Sequence, residues 1–495
     1  MARVKRSKRR LDCVNEAGGL FGIWNQPEAS QMTYFGLHAL QHRGQQGVGI
    51  VTNDGQSFHS YCRQGLLTHV FSNKDTLKNL PGTCALGQVR AATTDDLADD
   101  TNLQPRIFHF NEGTLAVSHI GHLTNGRTLR AALEAKGAVF SSNSAAELFI
   151  HLLRQQPHDD FETSFTHSLL QLTGSFDFCL LTEHALYAAV DPNSFRPLII
   201  GQLPDGAYLV ASETCVLHTL GARFVQELFA GEYAVIDDSG CRVERYANDG
   251  DVTIEPMEYI YYARPDSDIA GINVHSARKQ MGRQLAKEQP AAQADIVIGV
   301  PNSSLSAASG YAEAAQLPYE MGLIKNQYTG RTFIQPTQAM REQGVRSKLS
   351  PVPSVVSEKR IVLVDDSIVR GTTIRRLISL LREAGASEIH VRIASPVLRF
   401  PNYFGIDVSH NSELVGADRT IPELKELFGC DSLGFLSVEG MVSAIHAPFD
   451  TPNRGIALDA FNGEASADIG DYNEEFMQEL TPLQKSIRKG AFHDE

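Results

Sequence analysis

The segment 359–373, K-R-I-V-L-V-D-D-S-I-V-R-G-T-T, combines residue types that could bind a phosphorylated sugar. An apolar run predicted as a strand ends at two adjacent carboxylates, Asp365 and Asp366, which are placed for sugar hydroxyls or Mg²⁺. A Ser/Gly/Thr loop then leads directly into a predicted helix, whose N-terminal N–H groups favour an anion. The pattern GxxxxGK[ST] is absent, so the segment predicts a phosphate site that is not of the Walker type.

The elements around this segment alternate between strand and helix. Residues 295–300, 359–364 and 388–394 read as buried strands, and an Ala-rich helix ends near Ala315. Apolar residues at i, i+3, i+4 and i+7 from Ile374 predict the helix that follows the carboxylates, with Gly385 after its end. This repetition predicts a parallel sheet with helices on both faces. Residues 472–488 predict one terminal helix.

Before residue 255 the pattern is different. Short β-rich runs at 82–92, 113–125, 176–182, 185–189 and 207–211 alternate with turn residues, which predicts layered antiparallel sheets. Two helices interrupt them, at about 30–41 and from Ser144, where S-A-A-E is typical of a capping box.

Length and composition limit the class of protein. A chain of 495 residues suggests two or three domains, and its net charge of −14 argues against a broad nucleic-acid or anionic-membrane surface. Six of residues 1–10 are Lys or Arg, so the rest is more acidic still. No apolar run is long enough for a membrane span. Seven scattered cysteines without a CxxC pair suggest a reduced, cytoplasmic protein without a disulfide framework or thiolate metal site.

The motif V-D-D-S-I-V-R-G-T-T resembles the phosphoribosyl pyrophosphate (PRPP) signature of type I phosphoribosyltransferases, in the version found in the glutamine amidophosphoribosyltransferase family. L-Q-H-R-G-Q (40–45), D-P-N-S-F-R-P-L (191–198), R-P-D-S (264–267) and S-V-E-G (437–440) also resemble that family. Its members make 5-phosphoribosylamine from PRPP and glutamine, the first committed step of purine synthesis.

The resemblance implies an α/β and α+β two-domain fold. An N-terminal class II, Ntn-hydrolase-like glutaminase αββα sandwich would occupy residues 18–254, behind a basic leader at 1–17. A type I phosphoribosyltransferase domain with a parallel α/β fold would occupy 255–450, and a C-terminal extension 451–495.

In the phosphoribosyl half, the resemblance assigns Asp365 and Asp366 to the ribose hydroxyls and Mg²⁺. It assigns the 5′-phosphate to Ser367, Arg370, Gly371, Thr372 and Thr373. Residues 299–303 resemble the pyrophosphate loop, with Ser303 near the metal and Asn302 where an acidic residue is usual. Arg331 and Lys348 would meet phosphate charge, Arg331 within a loop that closes over PRPP.

The glutaminase half lacks residues that its chemistry needs. The family pattern E-C-G-[VI]-F-G reads A-G-G-L-F-G here, so Gly18 occupies the place of the nucleophilic cysteine, and Cys13 lies five residues too early. Ile120 replaces the oxyanion-hole asparagine, and Ala145 replaces the aspartate that binds the glutamine amino group. Arg90 could still meet a substrate carboxylate. These replacements predict a lost glutaminase.

The expected activity is therefore amination of PRPP by free ammonia or by a partner's ammonia, with glutamine doubtful as donor. The alternative is a PRPP-binding paralogue without turnover that regulates an intact homologue. A PRPP-sensing transcription regulator would need a basic DNA-binding module, which the acidic chain does not suggest.

The resemblance also sets expectations about cofactors and partners. Some relatives hold an iron–sulfur cluster with four cysteines, but the matching places here are Glu255, Asn402 and a stretch without cysteine at 452–461, so no cluster is expected. A homo-oligomer and inhibition by purine nucleotides are implied, with no nucleic-acid or membrane partner. Without a cysteine at position 18, no processing of the leader is expected.

Overall fold

The structure is a computed structural model of the chain. It describes residues 17–91, 100–111, 113–155, 160–247, 252–326, 349–405, 408, 410–446 and 455–490.

Two antiparallel sheets form the N-terminal half. The first has seven strands, which run in the order Arg223–Glu227, Ile199–Gln202, Tyr208–Ala211, Ala17–Trp24, Cys84–Ala91, Gly47–Asn53 and Phe58–Gln64. The second has six strands, in the order Gly240–Arg245, Glu232–Asp237, Leu186–Val190, Gly174–Leu181, Gly113–Leu123 and Arg106–Phe110.

Helices cover the outer face of each sheet. Helices Ala29–Ala39 and Cys215–Leu220 pack on the first sheet, and helices Ala145–Gln155 and Phe161–Leu169 pack on the second. The period-2 alternation of the strands explains the layers: Phe176 and Phe178 face the helices, whereas Cys179 faces the other sheet. This is the αββα sandwich that the sequence predicts.

Shorter helices complete this half. They are Leu67–Val70, Lys74–Lys78 and Gly126–Ala135, with 3₁₀ turns at Gln41–Arg43 and Asp100–Asn102. The helix predicted from Ser144 begins at Ala145. Ser144 Oγ accepts the N–H of Ala146, but the Glu147 carboxylate accepts from Ser141 N and Ser142 N instead of closing a capping box.

The C-terminal half is built on four parallel strands, in the order Ile296–Gly299, Arg360–Asp365, Glu388–Ile393 and Ser432–Phe435. Helices Val274–Glu288, Leu305–Ala315 and Val438–His446 lie on one face. Helices Thr372–Glu383 and Ile421–Phe428 lie on the other. The predicted parallel sheet, covered on both faces, is confirmed.

Short elements join these layers. They are the two-residue strands Thr253–Ile254, Gly455–Ile456, Asp268–Ile269 and Ile272–Asn273, the strands Leu323–Lys325 and Leu349–Pro351, the π-helical turn Glu258–Tyr262, the 3₁₀ turns Asn411–Glu413 and Gly470–Tyr472, and the helices Pro353–Val356 and Asp459–Asn462.

The single terminal helix predicted at 472–488 is wrong. Two helices, Asn473–Glu479 and Pro482–Arg488, occupy this stretch. Pro482 lacks an N–H and fits the first turn of a helix, and Thr481 forms a capping box with Gln484. These residues start a new helix rather than continue the first.

The two halves meet through a buried ion cluster. The Arg43 guanidinium contacts Glu258 at 2.6 Å and Glu213 at 2.6 Å, and its Nε donates to the Gly18 carbonyl at 3.1 Å. The Glu213 carboxylate also accepts from Arg264 N and Ser267 Oγ. One arginine therefore connects the first strand of the sandwich to the start of the second half.

The C-terminal segment returns to the sandwich. The Asp471 carboxylate accepts the N–H groups of Arg127 and Thr128 at 2.8 and 3.1 Å, at the start of helix Gly126–Ala135, whose own N-cap Asn125 makes no side-chain cap. Thr124 Oγ donates to the Asp468 carbonyl. No helix in the described ranges is long and apolar enough to cross a membrane.

Candidate functional site

The predicted acid pair lies at the carboxyl end of a central parallel strand. Asp365 is the last residue of strand Arg360–Asp365, and Asp366 follows it; both side chains are buried. Ser304 Oγ donates to Asp365 Oδ1 at 2.8 Å, and Ser367 Oγ donates to Asp366 Oδ1 at 2.8 Å. Ligands of open α/β sheets bind at this edge, so the pair occupies the expected position for a binding site.

Burial raises the pKa of both carboxyls. For Asp365 the charge of Asp366 adds to the effect of burial. For Asp366, hydrogen bonds from Ser303 and Ser367 and the positive charge of Arg278 act in the opposite direction. Two carboxyls that repel each other in a buried site favour a divalent cation, and oxygen donors are what Mg²⁺ prefers. The donor set therefore fits Mg²⁺ held by Asp365 and Asp366 with Ser303 beside them.

The loop after the acid pair ends at a helix start. Gly371 has a φ of 71°, in the left-handed region, and is the N-cap of helix Thr372–Glu383. Thr372 and Thr373 are exposed in the first turn of that helix. This N-terminus offers N–H donors and a partial positive charge beside the acid pair. The Arg370 guanidinium pairs with Glu413, a partner that sequence reasoning missed.

A second loop reaches the same sheet edge from the neighbouring strand Ile296–Gly299. Asn302 is exposed, Ser303 is half-buried, and Ser304 is buried against the acid pair. Sequence reasoning placed Ser303 near the metal and missed Ser304. Only the turn of the loop decides which of two adjacent serines faces Asp365, so no sequence signal could have separated them.

Arg278 is another residue that the sequence analysis missed. It lies in helix Val274–Glu288, is buried, and donates to the carbonyls of Tyr259 and Ala263 at 2.5 and 2.9 Å. Its charge acts on Asp366. It ends the segment G-I-N-V-H-S-A-R (271–278), which also resembles the family and is the sequence signal for this residue. Arg331 and Lys348 lie outside the described residues.

Gly18, which the resemblance matches to the nucleophile, lies within a strand. Gly18 pairs with Arg90 in the first sheet, and strand pairing continues to Ala17, opposite Ala91. A Cβ placed on Gly18 would lie 2.3 Å from the Val89 carbonyl oxygen. The backbone here leaves no room for a side chain.

Ile120 and Ala145, which the resemblance matches to two supporting residues of the glutaminase, are apolar and fully buried. Ile120 packs in the core between the sheets, and Ala145 packs in the core between the second sheet and its helices. Arg90 is also buried. Neither Ile120 nor Ala145 offers a polar side-chain atom.

Comparison with known proteins identifies the family. Residues 89–219 match a glutamine amidotransferase domain, and residues 272–400 match a phosphoribosyl transferase domain. An amidophosphoribosyltransferase of Staphylococcus aureus (strain Mu50) is 51% identical over 473 residues, covering 95% of each chain. One of Bacillus subtilis (strain 168) is 49% identical, covering 92% of this chain and 95% of the relative. The chain belongs to the amidophosphoribosyltransferase family.

Solved structures agree with this membership. The B. subtilis glutamine PRPP amidotransferase complexed with ADP and GMP superposes with a TM-score of 0.85 at 48% identity, covering 91% of this chain and 98% of the other. A structure described as the allosteric regulatory enzyme of purine biosynthesis gives a TM-score of 0.87 at 47% identity, covering 94% and 99%. As an amidophosphoribosyltransferase, the chain is a glycosyltransferase of purine biosynthesis.

None of the cysteine thiols that the structure describes in this amidophosphoribosyltransferase is activated for nucleophilic attack. Six of the seven cysteines are described, all of them free. Burial raises the pKa of every one, for example to about 12 for Cys62 and Cys215. A raised thiol pKa lowers the thiolate fraction and so disfavours nucleophilic attack. Cys13 lies outside the described residues.

The places of the iron–sulfur ligands carry other chemistry. Glu255 is fully buried, and its Oε2 accepts the N–H of Met257 at 2.7 Å. Asn402 Oδ1 accepts from Phe404 N and Gly405 N. A carboxyl and an amide engaged with backbone groups do not fit a thiolate-held cluster.

Proposed function

We propose that this chain forms 5-phosphoribosylamine and pyrophosphate from PRPP and free ammonia, and that its glutaminase half is inactive. The observation that carries the proposal is the contrast between the two halves. The acid pair Asp365–Asp366 keeps a hydrogen-bonded geometry beside a helix N-terminus. At Gly18 there is neither a nucleophile nor space for one.

The PRPP roles follow from the placement of the two loops. We assign Asp365 and Asp366 to the ribose hydroxyls and Mg²⁺, and Ser303 to the metal's surroundings. The hydroxyls of Ser367, Thr372 and Thr373 and the N–H groups of Arg370 and Gly371 are assigned to the 5′-phosphate. The Arg370 guanidinium is already paired with Glu413. The backbone N–H of Arg370 is therefore the better candidate for contact with the 5′-phosphate.

The reaction displaces pyrophosphate at C1 of the ribose. The bond from C1 to the pyrophosphate oxygen breaks, the ammonia nitrogen bonds to C1, and a proton leaves the nitrogen. Bound Mg²⁺ would neutralise charge on the leaving pyrophosphate. Within the chain, the acid pair would orient the ribose, and Asn302, in the pyrophosphate loop, would donate to the pyrophosphate. Arg331 and Lys348 are proposed for pyrophosphate charge on the resemblance alone.

The assignment of ammonia as the nitrogen source rests on three losses at positions that the resemblance matches to the glutaminase site. Gly18 cannot attack a carboxamide, Ile120 cannot donate to an oxyanion, and Ala145 cannot hold an amino group. Removing a single oxyanion donor typically costs 10²–10³ in rate, and removal of the nucleophile ends acyl transfer. Inhibition by purine nucleotides and a homo-oligomeric state stay predictions, the former consistent with the ADP and GMP in the B. subtilis structure.

A pyrophosphate-release assay tests the proposal. The full chain is incubated with PRPP and Mg²⁺ plus ammonium, glutamine or no nitrogen source. We expect release with ammonium alone, and its loss in Asp366→Asn. Glutamine-driven release would refute the inactive glutaminase. PRPP binding without release under any condition would refute catalysis and favour the regulatory paralogue.

A further inference from the structure

A group of buried oxygen atoms lies between the two sheets of the sandwich. The two carboxylate oxygens of Asp177, the hydroxyl of Ser118 and the Oε1 of Gln88 have no hydrogen-bond partner among the described residues. All three side chains are at most 1% exposed. A buried polar atom without a partner is costly, so a native structure that contains four of them calls for an explanation.

The strand registers bring these atoms together. Cys179, Ala116 and Leu86 face the layer between the sheets, so by alternation the side chains two residues away also face it: Asp177, Ser118 and Gln88. Asp177 pairs with Ile120, and Ser118 pairs with Cys179 on the same strand as Asp177.

The remaining member of the group, Gln88, reaches across from the other sheet. Its Nε2 donates to the His119 carbonyl at 3.0 Å, which places its amide between Ser118 and Ile120. The group thus lies beside Ile120, the residue that the resemblance matches to the oxyanion-hole asparagine of the glutaminase.

The chemistry of the group selects its ligand. A carboxylate and an amide oxygen only accept hydrogen bonds, and a serine oxygen can accept as well as donate. The two arginines whose charges act on Asp177 are engaged elsewhere: Arg43 holds Glu258 and Glu213, and Arg196 donates to the Gly405 carbonyl. What the site lacks is a small cation with several donors.

We propose that Asp177, Ser118 and Gln88 form a binding site for ammonium within the glutaminase-like domain. Ammonium carries four N–H donors in a tetrahedron and one positive charge, which matches a carboxylate with two neutral acceptors. A water molecule has only two donors, so it would leave two of the four acceptor oxygens without a partner. The inference deepens the proposed function and rests on it, since it places the nitrogen donor in the half that has lost glutamine chemistry.

The charges around Asp177 determine how ammonium binding depends on pH. Burial raises the pKa of Asp177 well above its usual value, and the charges of Asp191 and Glu258 act in the same direction. Arg196 and Arg43 oppose them. A protonated carboxyl must lose its proton to hold a cation, so ammonium should bind more tightly as pH rises, with release of a proton.

Thermal unfolding of the full chain tests binding without turnover. The midpoint is measured in ammonium, potassium and tetramethylammonium chloride at equal ionic strength, because a ligand of the native state stabilises it by mass action. We expect the highest midpoint in ammonium, loss of that difference in Asp177→Asn, and a smaller difference in Ser118→Ala. Asp237→Asn, on a strand of the same sheet, is the matched control and should keep it. Equal effects of potassium and ammonium, or an effect that persists in Asp177→Asn, would overturn the assignment.

Kinetics separates this inference from the proposed function. If ammonium drives pyrophosphate release, Asp177→Asn should raise KM for ammonium by about tenfold or more and leave KM for PRPP unchanged. The tenfold figure corresponds to the loss of one charge-assisted hydrogen bond. An unchanged KM for ammonium would refute the site while leaving the function intact. Absence of all turnover would refute the function, and the unfolding measurement would then decide the site alone.

Discussion

Substituting Glu255 by glutamine should change how stability depends on pH. Glu255 is fully buried where the two halves join, and its backbone N–H donates to the Phe195 carbonyl. Burial, with the charge of Glu258, raises its pKa from 4.5 to about 8. Glutamine keeps the shape and the acceptor for Met257 N but cannot ionise.

The sign follows from proton counting. Between pH 4.5 and about 8 the folded state keeps a proton on Glu255 that the unfolded state has lost. The contribution of protonated Glu255 to the free energy of unfolding is therefore fully present below pH 4.5, and it is lost as pH rises towards 8. At 1.36 kcal/mol per pKa unit, ionisation of this group lowers the free energy of unfolding by about 3–4 kcal/mol between pH 5 and pH 8.

Urea denaturation followed by fluorescence of Trp24, the single tryptophan, measures this difference. Wild type and Glu255→Gln should be about equally stable at pH 5, and the variant should be more stable by about 3–4 kcal/mol at pH 8. The exposed Glu464→Gln is the control and should follow wild type. Parallel stability curves for wild type and Glu255→Gln would refute the reasoning.

Two glycines give further predictions. Gly18→Cys should not restore glutaminase activity, and it should lower the free energy of unfolding by about 1–3 kcal/mol, because its Cβ would lie 2.3 Å from the Val89 carbonyl oxygen. Urea denaturation and glutamate release check this, and glutamine hydrolysis by the variant would contradict it. Gly371→Ala should weaken PRPP binding in calorimetry, because φ is 71° and the new Cβ would lie 2.7 Å from the Phe428 ring. Gly429→Ala has a similar φ of 74° with nothing near its Cβ, so PRPP affinity equal in the two variants would argue against a role for the loop geometry.

Periodicity in the sequence predicts most of the fold. The β-rich run along residues 176–182 and the i, i+3, i+4, i+7 pattern from Ile374 are both local features that the sequence shows directly. The prediction of one helix over 472–488 is the exception, since Pro482 starts a second helix with its own capping box. This signal is local, so the sequence could have indicated the break.

Some residues of the candidate site can be predicted from local sequence, and others cannot. Asp365 and Asp366 follow from a strand end and a motif, both local. Ser304 and Arg278 act on the acid pair through a loop turn and a packed helix, and residues 61 to 88 positions apart meet only after folding. Asp177 also cannot be predicted as a site residue from local sequence. The segment G-S-F-D-F-C-L-L does not indicate that Ser118 and Gln88 will face Asp177 as acceptors without partners.

The return of the C-terminal segment to the sandwich imposes an order on biosynthesis. Helix Gly126–Ala135 receives its cap from Asp471, 344 residues later in the chain. At about 5–20 residues per second, a ribosome needs about 17–70 seconds to make the intervening chain. During that interval the sandwich emerges with this helix start uncapped, and the cap can form only after Asp471 has been made. Formation of the first domain is thus finished by residues that are synthesised after the second.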